Sequence, residues 1–225
     1  VREPLAARFR LHVVDLPGYG ASAPREPYTL ADLANTVAQA MPAHAHVCGW
    51  SLGGQVALRL ALDHPERVGK LVLVATTPCF RQRPDWPHGM DDATMNEFAR
   101  SLEQDYVGTL KRFLSLQARS GDDAREVIAA LRAGLFARGE PSLETLRAGL
   151  VILRDLDLRG EVARIVQPAL VIHGERDALT PPAAGAWLAR TLPGAELAMV
   201  SGGAHAPFLS HRAESLNAME RFLHE

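Results

Sequence analysis

Leu71-Val72-Leu73-Val74-Ala75 is the segment that most restricts what this chain can become. Five consecutive apolar residues without polar alternation, at strand length, suit a strand covered on both faces. Such strands belong to parallel sheets, whose crossover connections lay helices against both sides. The flanking sequence has that texture. Short strand-like runs are expected at 11–15, 46–48, 169–172 and 196–200. Between them, apolar residues recur at helical spacing over 28–41 (Leu30, Leu33, Ala34, Val37, Ala38, Met41), with Thr29 and Asp32 at the start. Helices are also expected over 52–64, closed by Pro65, over 182–190 and over 213–222.

From 76 to 166 the strand texture vanishes and helical patterns follow one another, at 91–102, 107–117, 122–136 and 142–153. The reading is an α/β fold, a mostly parallel sheet flanked by helices, with an inserted all-helical cap. Residues 1–75 form the first part of the core, 76–166 the cap and 167–225 the second part. Ligand sites of open parallel sheets lie beyond the carboxyl ends of the strands, where such a cap would sit.

Gly49-Trp50-Ser51-Leu52-Gly53 lies between an expected strand and an expected helix. G-x-S-x-G in that context is a nucleophile elbow, a sharp turn that projects a serine hydroxyl above the sheet. Gly49 and Gly53 are expected to remove side chains that would strike neighbouring backbone, and Gly54 to allow close helix packing. The N–H of Leu52 is then placed to donate to an oxyanion. A glycine-rich turn with an incidental serine is the bland alternative.

A serine hydroxyl needs a base, and the base needs an orienting carboxylate, in the chain order Ser, acid, His. Asp177 follows the strand-like run 169–172 on a loop before Leu179-Thr180-Pro181-Pro182; Glu175 is the rival carboxylate, nearer the strand. His205 lies in the loop Gly202-Gly203-Ala204-His205 after the last strand-like run. Ser51, Asp177 and His205 are therefore the expected catalytic residues. His173-Gly174, beside the acid, is expected to be structural. The remaining histidines have bland places: His12 in a strand, His64 at a helix end, His211 and His224 in the last helical region.

Other chemistries find little support. No clustered ligands at short spacing suggest a metal, and no Walker or dinucleotide glycine loop suggests a cofactor. With 24 Lys and Arg against 26 Asp and Glu, the net charge of -2 leaves no footprint for nucleic acid. No apolar run approaches membrane-spanning length. Cys48 and Cys79 do not make a disulfide framework, so a reducing compartment, the cytoplasm, is expected; the chain is expected to be a monomer.

Beyond these readings, Val14-Asp15-Leu16-Pro17-Gly18-Tyr19-Gly20, Gly49 to Gly54, His64-Pro65-Glu66-Arg67-Val68 and Ala204-His205-Ala206-Pro207-Phe208 resemble the α/β-hydrolase esterases. Within them, Trp50, Thr77-Pro78-Cys79-Phe80, Asp85-Trp86-Pro87 and Arg112-Phe113-Leu114-Ser115-Leu116-Gln117 resemble the pimeloyl-[acyl-carrier protein] methyl ester esterase family. The resemblance implies hydrolysis of a methyl ester on a carrier-bound acyl chain, without a cofactor. It implies that Trp50, Phe113, Leu114, Ser115, Leu116 and Gln117 meet the substrate, and that Arg112 and Arg125 contact the acidic carrier protein. Two further arginine positions of that family hold Gly108 and Ala129 here. The alternative for Arg112, Arg119, Arg125 and Arg132 is a solvated helix face paired with Asp122, Asp123 and Glu126.

The resemblance also implies a hairpin and a central strand ahead of Val1, ending in a loop that carries a second oxyanion donor. The expectation is that roughly 30 residues or more lie outside this chain. Loss of one such donor commonly costs about 10²–10³ in rate.

Overall fold

The computed structural model describes residues 1–105, 108–109, 112, 129, 133 and 141–224. The four strands are β1 (Ala45–Trp50), β2 (Val68–Val74), β3 (Ala169–Gly174) and β4 (Glu196–Val200). They pair in the order β1-β2-β3-β4, and every pairing is parallel. In chain order the helices are α1 (Arg2–Ala6), α2 (Leu30–Ala40), α3 (Leu52–Asp63), α4 (Asp92–Gln104), α5 (Leu143–Asp155), α6 (Pro182–Thr191), α7 (Pro207–Ser210) and α8 (Arg212–His224).

The apolar run of β2 is buried throughout, with Leu71 to Ala75 each no more than 1% exposed. Successive side chains of a strand point to opposite faces, and the two halves of the core follow that alternation. Leu71 and Leu73 join Ala169 and Val171 of β3 against α2, α3 and α6. Val72 and Val74 join Leu170, Ile172 and Val200 against Ala218, Met219 and Phe222 of α8. A strand buried on both sides has no face for polar residues, which is why its sequence does not alternate.

Local chemistry sets the helix starts. Thr29 caps α2 by accepting from the N–H of Asp32, Asp91 caps α4 from Thr94, and Ser142 caps α5 from Thr145. Each satisfies one of the donors that a helix leaves unpaired in its first turn.

The expected strand at 11–15 does not form. Residues 11–15 carry no regular structure, and Leu11, Val13 and Val14 are 38%, 49% and 37% exposed. A strand needs a ladder partner for its backbone groups, and none of the described residues supplies one to this segment. It ends instead in a turn, where Ser22 Oγ donates to Asp15 O at 2.7 Å. The expected helices at 107–117 and 122–136 fall almost wholly outside the described residues.

Helices α4 and α5 lie in the connection between β2 and β3, whose two ends are tied together. The N–H of Leu158 donates to Pro78 O at 2.8 Å. Arg159 bridges Asp157 (2.7 Å) and Asp85 (3.0 Å) and lies over the Trp86 ring, 5.4 Å from its centroid. Helix α5 reaches the turn at Gly18 and the start of α3: a Cβ at Gly18 would lie 2.4 Å from Thr145 Oγ1, and one at Gly149 would lie 4.0 Å from Leu52.

Candidate active site

β1 runs straight into the elbow. Ser51 has φ 53° and ψ -119°, a conformation that L residues rarely adopt and that is retained where surroundings impose it. The surroundings are visible. The N–H of Ser51 donates to Val74 O at 3.0 Å, and Thr76 Oγ1 donates to Ser51 O at 2.7 Å. A Cβ at Gly49 would sit 2.3 Å from Gly53 O, so only glycine lets β1 and the start of α3 approach this closely. Gly54 packs against Thr76, where a Cβ would fall 2.6 Å from the threonine side chain. Gly53 differs from expectation: a Cβ there meets nothing within 4 Å. It lies in the first turn of α3 with its side-chain direction open.

The first intrahelical donors of α3 to reach Ser51 O are the N–H groups of Gly54 (2.9 Å) and Gln55 (3.2 Å). Those of Leu52 and Gly53 come before them, among the first-turn donors that a helix leaves without an acceptor. They stand at the positive end of the helix, where negative charge is favoured.

Asp177 and His205 meet behind the elbow. Asp177 Oδ2 accepts from His205 Nδ1 at 2.8 Å, with the two residues 4% and 2% exposed. Its other oxygen accepts from the N–H groups of Leu179 (2.9 Å) and Thr180 (3.0 Å). The Thr180 hydroxyl adds a further bond to Oδ2 at 2.7 Å. Burial alone would raise the Asp177 carboxyl. The His205 bond and charge, His173 and the Thr180 hydroxyl outweigh it and hold the group below the usual carboxylate range. An ionised acid selects the Nδ1–H tautomer of His205 and leaves Nε2 as the basic nitrogen.

The loops that carry acid and base approach through Gly174, where a Cβ would lie 2.2 Å from Ala204 O. Glu175, the rival carboxylate, points elsewhere; it accepts from Ser201 Oγ (3.0 Å) and Gly202 N (3.1 Å) and so braces the loop before His205. His173 is fully buried, and its Nε2 donates to Thr180 O at 2.7 Å. Burial lowers its proton affinity, against the raising influence of Asp177. It is a neutral strut of the acid loop.

Trp50 joins the elbow to the base. Its Nε1 donates to His205 O at 2.8 Å, and its ring lies 5.7 Å from the His205 ring and 5.2 Å from Phe208. Among the described residues no hydrogen bond links the Ser51 hydroxyl to His205. Arg112 is exposed, donates to Thr109 Oγ1 at 2.8 Å and pairs with Asp105 at 3.7 Å. Phe113, Leu114, Ser115, Leu116, Gln117 and Arg125 lie outside the described residues. Thr180, Thr76 and Gly174 carry no motif of their own, so sequence reasoning missed them as parts of the site. For Thr180 a signal existed, because aspartate commonly accepts from backbone N–H groups two and three residues on.

The arrangement has counterparts of known kind. The family model for the alpha/beta hydrolase fold matches residues 1–212. The pimeloyl-[acyl-carrier protein] methyl ester esterase of Nitrosomonas europaea is 50% identical over 210 residues, which cover 93% of this chain and 83% of that protein. This chain belongs to the α/β-hydrolase family, among the pimeloyl-[acyl-carrier protein] methyl ester esterases. A second esterase of that group, from Nitrosospira multiformis, is 44% identical and covers 98% of this chain and 87% of its own length. Of solved structures, an esterase from Exiguobacterium antarcticum is 27% identical with a TM-score of 0.80, covering 92% of this chain and 79% of that one. Ser51, Asp177 and His205 follow the carboxyl ends of β1, β3 and β4, where ligand sites of open parallel sheets lie. Among the described residues no helix is long and apolar enough to cross a membrane.

Proposed function

We propose that this chain is a serine carboxylesterase that hydrolyses the methyl ester of pimeloyl-[acyl-carrier protein] to pimeloyl-[acyl-carrier protein] and methanol in biotin biosynthesis. The observation that carries the proposal is the buried Asp177–His205 hydrogen bond set beside the strained Ser51 elbow, in a chain 50% identical to an esterase of that name. Ser51 Oγ attacks the ester carbonyl while His205 Nε2 takes its proton. The oxyanion of the tetrahedral intermediate accepts from Leu52 N–H. Collapse breaks the bond to the methoxy oxygen, which leaves as methanol with the proton from His205. Water then attacks the acyl-enzyme by the same route, His205 acting as base, and frees the carboxylate. Asp177 orients His205 and stabilises its cation throughout.

The second oxyanion donor is proposed to come from a strand beside the free edge of β1, which ends in the elbow. Phe113 to Gln117, with Trp50, are proposed to line the acyl pocket, and Arg112 and Arg125 to meet the acidic carrier. Opposite charges there would speed encounter more than they tighten the complex. The enzyme is proposed to work as a cytoplasmic monomer.

The test uses pimeloyl-[acyl-carrier protein] methyl ester, with the carrier followed by intact mass. Demethylation that Ser51→Ala abolishes is expected. Cleavage of p-nitrophenyl butyrate with the carrier-bound ester left untouched would replace this reading by a broad short-chain esterase. Retained demethylation in Ser51→Ala would remove the nucleophile assignment.

A further inference from the structure

Thr180 is not a member of the Ser-His-Asp set, yet its hydroxyl occupies the centre of the acid loop. The residue is 1% exposed. Its Oγ1 lies 2.7 Å from Asp177 Oδ2, 3.2 Å from Ala75 O, 3.2 Å from His205 Nδ1 and 3.4 Å from His173 Nε2. A hydroxyl has one proton to give. The two nitrogens each hold a hydrogen with a closer acceptor, His205 on Asp177 at 2.8 Å and His173 on Thr180 O at 2.7 Å. The Thr180 proton therefore has Asp177 and Ala75 to choose between. The shorter distance and the charge of the carboxylate both favour Asp177.

We propose that Thr180 is a positioning residue for ester hydrolysis, its buried hydroxyl both aiming the Asp177 carboxylate and limiting how tightly that carboxylate holds a proton on His205. The inference rests on the triad assigned above. Two backbone donors hold Oδ1 of Asp177, whereas Oδ2, the oxygen facing the base, takes its close hydrogen bonds from His205 (2.8 Å) and Thr180 (2.7 Å), with His173 Nε2 farther off at 3.4 Å. Without the hydroxyl, Oδ2 keeps His205 as its one close partner, and the twist of the carboxylate about Cβ–Cγ is set by the two backbone donors on Oδ1 with nothing else to aim Oδ2 at the imidazole. It also carries more unspent negative charge in a site that excludes water.

The effect on proton affinity has a definite sign. Among the described residues the ionisable groups around Thr180 are Asp177 on its own loop, His205 on the loop after β4 and His173 on β3; Ala75, just after β2, presents its neutral carbonyl. A donor on a carboxylate lowers its pull on a neighbouring cation, so removing the donor lets the Asp177–His205 dyad take up its proton at higher pH. The acid limb of kcat/KM moves up accordingly. His173 Nε2 lies 3.4 Å from Oδ2, but its hydrogen is directed to Thr180 O at 2.7 Å, a backbone acceptor that every Thr180 variant keeps, so it does not replace the lost donor.

The experiment compares Thr180→Val, Thr180→Ser and Thr180→Ala in the full chain, using p-nitrophenyl butyrate from pH 5 to 9 together with melting temperatures. Thr180→Val is expected to lower kcat about tenfold with KM little changed, and to raise the acid limb by about one unit. Thr180→Ser should restore both. If the valine variant fails to fold, serine and alanine decide the matter, since both lack the methyl and only one keeps the hydroxyl. A pH profile that is the same for serine and alanine variants would overturn the proposal. So would losses in kcat that follow the melting temperature while the acid limb stays in place. Full turnover in Asp177→Asn would overturn it at its foundation and would be recognised separately, because the triad itself would have failed.

Discussion

Replacing Gly49 with alanine should destabilise this protein by about 1–3 kcal/mol, the usual cost of forcing atoms into a filled space. The same replacement at Gly53, in the same five-residue motif, should stabilise it. At Gly49 the new Cβ would fall 2.3 Å from Gly53 O, 2.5 Å from Gly53 C and 2.7 Å from Gly54 Cα. All three are backbone atoms at the start of α3, which Gly54 in turn holds against Thr76, so no flexible side chain can yield. The elbow must open, and Ser51 must move with it. At Gly53 the Cβ meets nothing within 4 Å, and the position is helical. Alanine there removes the excess flexibility of glycine from the unfolded chain, worth about 0.5–1 kcal/mol. For a chain of this size each kcal/mol moves the melting temperature by about 2–4 °C. Gly49→Ala should then melt about 2–12 °C lower and Gly53→Ala about 1–4 °C higher. Thermal melts, paired with the rate of fluorophosphonate labelling at Ser51, read both structure and elbow geometry. Slow labelling is expected only of Gly49→Ala. A Gly49→Ala protein that melts and labels like the parent would refute the steric argument, as would a Gly53→Ala protein that loses as much stability as its partner.

Other perturbations test other parts of the site. Trp50→Phe keeps a ring against Phe208 but loses the bond to His205 O; a loss of about 0.5–1.5 kcal/mol and a reduced kcat are expected, read by thermal melts and steady-state kinetics. His173 has its proton affinity lowered by burial, so the unfolded state binds its proton first as pH falls. Its contribution to stability is therefore complete above the unfolded value of about 6.5 and declines below it. His173→Gln should flatten the dependence of melting temperature on pH below about 6.5, even if its absolute stability is lower. Asp177 has the opposite sense: its depressed carboxyl stabilises the fold above the ordinary carboxylate range, and that contribution disappears as pH falls through the folded value. The difference in melting temperature between the parent and Asp177→Asn should accordingly shrink below about pH 4. Arg159→Ala removes the bridge to Asp157 and Asp85 and the cation over Trp86; a loss of about 1–3 kcal/mol, partly masked by high salt, is expected from melts at two ionic strengths.

Much of the architecture was legible before any coordinates. The apolar run of β2 could hardly lie anywhere but the centre of a covered parallel sheet, and it lies there between β1 and β3. Thr29, Asp91 and Ser142 marked helix starts because capping is a local affair of a few residues. The segment 11–15 misled for the complementary reason. Its β-rich composition is local, but a strand exists only through a neighbour, and pairing is not written in the residues that seek it.

The amino-acid order by itself determined the parallel α/β core, the elbow around Ser51 and the candidacy of Asp177 and His205, because each rests on short-range patterns of burial, turn and chain order. Only the tertiary structure decided which groups converge on them. Thr76 and Trp50 bond to the elbow and to His205 across 25 and 155 residues, and the Thr180 hydroxyl reaches Ala75 O across 105. Gly49 and Gly53 look alike in the motif, but one is walled in by backbone and the other faces open space. Such differences arise from the distances between elements, and these exist only once the core has packed and brought the strand ends together.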